Sequence, residues 1–333
     1  MCNIWRIPAS VPDLPVADWT SLLAQPVFVR LTELDVTGGE PFLRDDLAEF
    51  MDGVCTLKAG NLGRLRSVAI TTNGFLTDKV VPTTGRIVER MGKAGLDLVV
   101  VLAMDGAGEI HDRIRNFEGG WKRLSATIEG LVALRRTSPN LIIGLKTTIL
   151  PLNVDELDGI ARFANEHGLF TIISPCIVTE GRYANSGLAE SLKFAPEQIE
   201  KMIRFFEGPD FQWSYHRLGL LDLLKRGALE KPCSAGFNYF FVRSTGEVHP
   251  CPLMPLSLGN IGQTPMAGLI GSTAARRFRR RVGLFEECRS CTEPGLERYA
   301  LPFEGFHYLK LLRALGKEDF MAFHRHMGLD KYS

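Results

Sequence analysis

From about residue 27 to residue 175 the chain alternates two kinds of hydrophobic pattern. Short, nearly unbroken apolar runs occupy 31–37 (LTELDVT), 67–72 (SVAITT), 96–104 (LDLVVVLAM), 141–150 (LIIGLKTTIL) and 169–174 (LFTIIS). Runs of Val, Ile and Leu without polar alternation are what strands covered on both faces require. Between them apolar positions recur every three or four residues, as in amphipathic helices: RDDLAEFMDGVCTL (44–57), KVVPTTGRIVERMGKAG (79–95, with Pro82 near its start), WKRLSATIEGLVALRR (121–136) and NVDELDGIARFANEHG (153–168). Five strands, each but the last followed by a helix, predict βα units in a closed or partly closed barrel, with chemistry at the carboxyl ends of the strands.

After GRYANSG (181–187) the rhythm breaks. Residues 195–229 read as two helices interrupted at GPDFQ, and from Lys231 the chain is rich in Cys, Gly and Pro, as in a small module stapled by ligands. The tail from about 301 to 333 has a helical pattern. Lys and Arg number 39 against 38 Asp and Glu, a formal charge of +1 that gives no field to gather nucleic acid or an acidic membrane. The basic run RRFRRR (276–281) stands alone and reads as a solvated helix face. No apolar run approaches the length of a membrane span and no signal peptide is legible, so a cytoplasmic protein is expected. Seven cysteines, Cys2, Cys55, Cys176, Cys233, Cys251, Cys288 and Cys291, are an odd set for a disulfide framework. With a Cys-x-x-Cys among them, metal or redox chemistry is the better reading.

Two stretches carry chemistry. In LDVTGGEPFLRDDL a strand ends at Thr37 and is followed by Gly38 and Gly39, whose backbone lacks Cβ cover and can lie against a ligand. Glu40 adds a carboxylate that Pro41 holds extended, and such an edge suits a ligand ammonium, although a plain βα turn has the same glycines. In KPCSAGFNYFFVRSTGEVHPCPL, two strands meeting at STGE form a hairpin that brings Cys233 toward Cys251, and Cys288-x-x-Cys291 supplies two more thiolates. Four soft ligands suit zinc or an iron-sulfur cluster alike. His249 is expected to be a hairpin side chain, and Cys55 a small packed hydrophobe. Cys176, in SPCIV after the last strand, is expected to be a buried thiol, or else to face substrate. His324 and His326 have no role in a recognisable motif.

Taken together, GGEP (38–41), TTNG (71–74), LAMDGAGEIHDRIRN (102–116), LPLN (150–153) and EGRYA (180–184) resemble, in order, the blocks of the radical S-adenosylmethionine enzymes. Asp105, Gly106, His111, Asp112 and Arg115 fall in register with the third block, although Ala103 stands where relatives have Ser. The resemblance implies that Gly38, Gly39, Glu40, Pro41, Asn73, Asp105 and Arg115 bind the cofactor. The diglycine segment would meet its amino group and Arg115 its carboxylate. Adenine and ribose would rest near Thr148 and Ile173. The opening MCNIW resembles the end of the family's Cys-x-x-x-Cys-x-x-Cys motif, making Cys2 the third ligand of a radical 4Fe-4S cluster. The first two cysteines and a first strand are then expected ahead of residue 1, and one thiolate alone cannot hold the cluster. Cys-x12-Gly-x4-Cys followed by Cys-x-x-Cys resembles the twitch domain, a shortened SPASM module. This implies one auxiliary 4Fe-4S cluster on Cys233, Cys251, Cys288 and Cys291.

The resemblance thus implies a partial (β/α)6 TIM-like radical SAM barrel lacking its first strand (1–190), a helical linker (191–230), a cysteine-rich α+β twitch domain (231–300) and a helical tail (301–333). The implied activity is an oxidoreductase or maturase in which a 5′-deoxyadenosyl radical abstracts hydrogen from a peptide or a small molecule. The auxiliary cluster would transfer electrons, and a flavodoxin- or ferredoxin-type donor would supply them. The chain as it stands is expected to be inactive for want of two cysteines. The alternative is a non-catalytic iron-sulfur or zinc scaffold that kept the barrel's shape.

Overall fold

The computed structural model describes residues 2–8, 10–208, 214–227, 233–293, 309, 312–313 and 316–324. Strands β1 (Glu33–Val36), β2 (Ser67–Thr72), β3 (Asp97–Ala103), β4 (Leu141–Ile149) and β5 (Phe170–Pro175) form one parallel sheet in that spatial order. The expected strands are all present, each ending within two residues of its apolar run. Helix α1 (Val16–Leu23) precedes the sheet, and α2 (Leu47–Lys58), α3 (Thr77–Lys93), α4 (Glu109–Arg115), α5 (Gly120–Arg135) and α6 (Leu157–Glu166) connect or follow its strands. Pro82 lies well inside α3, which starts at Thr77, so the expected position near a helix start is corrected. The carbonyl that Pro82 cannot bond belongs to Asp78, an exposed residue that water can serve.

Alternate residues of the strands part into two faces. Val68, Ile70, Leu98, Val100, Leu102, Leu141, Ile143 and Leu145 pack under the helices in the main core. The opposite face carries Val99, Val101 and Phe170, with Ala69, Ile142 and Ile172 against them, as the floor of a lumen. The Phe170 ring lies over Gly144, where a Cβ would stand 2.3 Å from it. Ile173 is fully buried in the helix-side core, so its expected place under an adenine is corrected, the strand's alternation turning Ile172 and Ser174 the other way.

Two helices, α7 (Pro196–Glu207) and α8 (Ser214–Arg226), follow as expected, and the interruption read at GPDFQ lies, apart from Gly208, outside the described residues. Then come β6 (Phe241–Val242), β7 (Glu247–His249) and β8 (Gly259–Asn260), an antiparallel sheet, and short helices α9 (Met266–Gly271), α10 (Thr273–Arg279) and α11 (Glu286–Arg289). In the β6–β7 turn, Arg243 N donates to Glu247 O and Gly246 N to Arg243 O, and Gly246 takes φ +83°, a left-handed conformation that a side chain resists. The expected tail lies mostly outside the described residues, apart from α12 (Lys317–His324); His326 lies outside them too.

Helix α1 joins the two sheets. Leu23 enters the barrel core, while Trp19 and Leu22 pack against Val248, Leu258, Met266 and Leu269. Gln25 Oε1 also accepts a bond from Met266 N at 2.9 Å. Among the described residues no helix is long and apolar enough to cross a membrane.

Candidate functional site

At the end of β1, Gly38 and Gly39 have no atom within 4 Å of where their Cβ atoms would stand, so their backbone faces open space. The Glu40 carboxylate does not face it. Its Oε1 accepts from Phe42 N (3.2 Å) and Thr72 Oγ1 (2.8 Å), and its Oε2 from Asn73 N (2.7 Å). Glu40 therefore fastens the β1 loop to the end of β2 and leaves the diglycine backbone as the surface toward a ligand. Pro41 is buried at the head of a 3-10 turn, and Asn73 Oδ1 accepts from Phe75 N, shaping its own turn.

Asp105, fully buried at the end of β3, does the same work one loop further on. Its Oδ1 accepts from Thr148 N at 2.9 Å, and its backbone carbonyl accepts from Asn153 Nδ2 at 2.8 Å. Its Oδ2 lies 2.6 Å from Arg115 Nη2. The guanidinium expected to meet a ligand carboxylate is thus paired inside the protein, while its buried Nε has no partner. Gly106 leaves room for Ile110, whose Cγ2 would stand 2.2 Å from a Cβ there. Asp112 accepts from Gly119 N and Trp121 N, fixing the start of α5.

His111 is enclosed by this network. Asp105 N donates to its Nδ1, so the proton sits on Nε2, which is buried without a partner beside the Phe75 and Trp121 rings. Burial, with the Arg115 charge adding to it, holds its pKa down to about 4. Above the unfolded value of about 6.5 neither state is protonated and stability is full; below it the unfolded chain takes a proton that the folded one refuses. Urea midpoints should therefore show a loss of about 2 kcal/mol between pH 7 and pH 5 from this group. His111→Phe should flatten that decline.

Inside the lumen, Lys146 on β4 sits in register with Ala103 of β3 and Ile172 of β5. Burial lowers its pKa against the pull of Glu293, Asp35 and Asp105, and Arg182 lowers it further. Arg182, in the loop after β5, donates from Nη2 to Thr37 Oγ1 at 3.1 Å and covers the Tyr183 ring. Asn3 pins the chain's start to that loop, its N bonding Tyr183 O and its Nδ2 bonding Ala184 O, at 2.9 and 2.8 Å. Cys2 is thereby held near Arg182 and Cys176, and its sulfur accepts from Ile4 N at 3.5 Å. Burial pushes the Cys176 thiol up to about 11, which keeps it protonated. Cys55 is buried in α2 among apolar neighbours, as expected.

The four remaining cysteines converge. Cys233, Cys251, Cys288 and Cys291 line one small cavity with Ala235, Leu253, Met254, Phe278 and Val282. Ala235 N points at the Cys233 sulfur from 3.5 Å, and burial pushes the Cys251 thiol up to about 12. Among the described residues no three His, Cys, Asp or Glu side chains are drawn close enough to hold one metal ion. Four soft sulfur ligands around one cavity suit zinc or an iron-sulfur cluster alike. His249 stays out of it, bonding Leu256 O through Nδ1 and accepting from Arg243 through Nε2. The cavity's walls are fastened to the barrel mouth: Thr292 Oγ1 donates to Pro175 O at 2.8 Å, and Thr179 Oγ1 to Leu253 O. A second hollow, lined by Thr32, Arg64, Arg66 and Asp97, opens at the opposite, amino ends of β1–β3, away from these groups.

The radical SAM superfamily model matches residues 1–164, and the model of SPASM, an iron-sulfur cluster-binding domain, matches residues 233–292. The chain belongs to the radical SAM superfamily. The SPASM match begins at Cys233 and closes one residue after Cys291, so it takes in the four cavity cysteines. The chain is similar to the AdoMet-dependent heme synthase of Methanosarcina barkeri, with 27% identity over 78% of this chain and 74% of that protein. It is similar also to the sporulation killing factor maturation protein SkfB of Bacillus subtilis (24%; 88% and 65%) and to the PqqA peptide cyclase of Rhizobium meliloti (25%; 88% and 74%). It therefore spans from 65% to 74% of the lengths of these three relatives.

Lys146, Arg182 and Glu293 were not singled out from sequence. The signal for Lys146 was present: a lone cation inside an otherwise apolar strand run, LIIGLKTTIL, on the face opposite Leu145.

Proposed function

We propose that this chain is a radical SAM oxidoreductase or maturase that oxidises a peptide or a small molecule at the barrel mouth, with one auxiliary 4Fe-4S cluster beside it. The observation that carries the reading is the meeting of Cys233, Cys251, Cys288 and Cys291 on a cavity fastened to the ends of the strands. When bound, S-adenosylmethionine and the radical cluster would supply hydrogen-atom abstraction from an unactivated carbon. The protein's part is positional. The Gly38–Gly39 backbone would receive the cofactor's ammonium, Glu40, Pro41 and Asn73 would hold that edge in shape, and Cys2 would be one of three thiolates on the radical cluster. Asp105 and Arg115 would keep the ends of β3 and β4 together around the cofactor. A flavodoxin- or ferredoxin-type protein would deliver the electrons.

A second reading, a scaffold without radical chemistry, is favoured by one observation: Arg115 is already neutralised by Asp105. The test adds Cys-x-x-x-Cys-x ahead of Met1, so that three thiolates are present, and reconstitutes the protein anaerobically with iron and sulfide. With dithionite and S-adenosylmethionine this chain should release 5′-deoxyadenosine, and should take up about eight irons against about four without the extension. Eight irons with no 5′-deoxyadenosine would favour the scaffold.

A further inference from the structure

The lumen carries a cation for which the function proposed above assigns no use. Lys146 is the only charged residue of β4, and the residues flanking it in sequence, Leu145 and Thr147, are fully buried on the helix side. Its side chain therefore rises from the lumen wall above the apolar floor of Val99, Val101 and Phe170. Three acids, Glu293, Asp35 and Asp105, act on its ammonium from a distance. Asp105 is bound to Thr148 N and Arg115, and among the described residues no carboxylate closes an ion pair with Lys146. A second cation, Arg182, stands over the same mouth, tied to Thr37 at the end of β1. A half-buried lysine without a direct counter-ion is costly to an enzyme that never fills the space beside it.

We infer that Lys146, with Arg182 above it, receives a carboxylate carried by the substrate of the proposed reaction. A singly charged carboxylate fits better than a phosphate dianion, because Glu293 and Asp35 already add negative potential at the same ammonium. The inference rests on the radical SAM reading, in which the substrate enters the lumen from the carboxyl ends of the strands. It adds the chemical class of the group that anchors the substrate there.

The test reads Lys146 directly. Reconstituted protein is treated with acetic anhydride, and acetylation of Lys146 is followed by peptide mass spectrometry, with exposed Lys93 as internal reference. Propionate, inorganic phosphate, chloride at matched ionic strength and S-adenosylmethionine are the probes. Saturating propionate should slow acetylation of Lys146 by about tenfold while leaving Lys93 unchanged, phosphate should protect less, and Arg182→Gln should weaken the protection. Equal rates in propionate and chloride would overturn the inference, and so would a Lys146 that never reacts, because the lumen is then closed to small anions. Full protection by S-adenosylmethionine alone would reassign the ammonium to the cofactor and overturn it as well. Binding of S-adenosylmethionine by equilibrium dialysis, measured on the same samples, separates this failure from that of the underlying function. Protein that binds the cofactor but shows no propionate protection refutes the carboxylate site alone, and protein that binds neither refutes both.

Discussion

Replacing Cys251 and Cys291 together by serine is expected to abolish the iron that the chain takes up through its second sheet, from about four irons per chain to fewer than one. Both sulfurs are buried against Leu253, Met254 and Phe278, where burial disfavours a bare thiolate and a bound metal supplies the charge that makes one stable. Serine removes the soft ligand and leaves a hydroxyl in an apolar wall, so two of the four corners of the site are lost at once. Because cluster binding and folding of such a small module are linked, the reconstituted wild type should also unfold at higher temperature than the unloaded protein, and the double variant should lose that difference. Cys55→Ser is the control: Cys55 lies inside α2, far along the chain from the hairpin, and its loss should leave iron uptake unchanged. Iron is measured by chelator assay, with the charge-transfer absorption of the cluster as a second readout. Tight zinc in the wild type with no iron would sink the auxiliary-cluster reading.

The sheet was legible because its strands are buried on both faces, and a buried strand has to be written in apolar residues from end to end. The run at 67–72 coincides with β2, and those at 96–104 and 141–150 overshoot β3 and β4 by no more than one residue at each end. What pattern did not reveal were short elements whose apolar residues serve two neighbours. Helix α1 turns Leu23 to the barrel and Leu22 with Trp19 to the second sheet, so its eight residues show no single stripe. Helix α4 is shorter still and is organised by Asp105, Gly106 and Asp112 rather than by an apolar face. The site divides in the same way. The spacing of the four cysteines was readable, but the hairpin alone does not join them: its register runs Cys251 toward Tyr239, and the turn bridged by Ala235 and Tyr239 carries the chain back to Cys233. The direction of the Glu40 carboxylate was not readable, because its partners, Thr72 and Asn73, come from the next strand. Motif residues that look poised for a ligand are here largely poised for one another, and what they leave open is backbone.

The largest effect on stability is expected at Asp105. Truncating it to alanine removes the counter-charge of Arg115, whose guanidinium is mostly buried, and strips Thr148 N of its acceptor in one step. Breaking a buried ion pair from one side costs about 3–5 kcal/mol, because the surviving charge remains away from water. For a protein whose whole folding free energy is about 5–15 kcal/mol that is a large share, and the urea midpoint should fall accordingly. Asp105→Asn separates the two contributions. Its amide oxygen can still accept from Thr148 N, so the β3–β4 junction is kept while the charge is lost, and the drop should be smaller than for alanine. The double variant Asp105→Asn, Arg115→Gln removes both charges and should recover part of the loss. If alanine at 105 unfolds at the wild-type midpoint, the carboxylate is not what ties these strand ends together, and the open edge at Gly38 and Gly39 would have to be held by Glu40 alone.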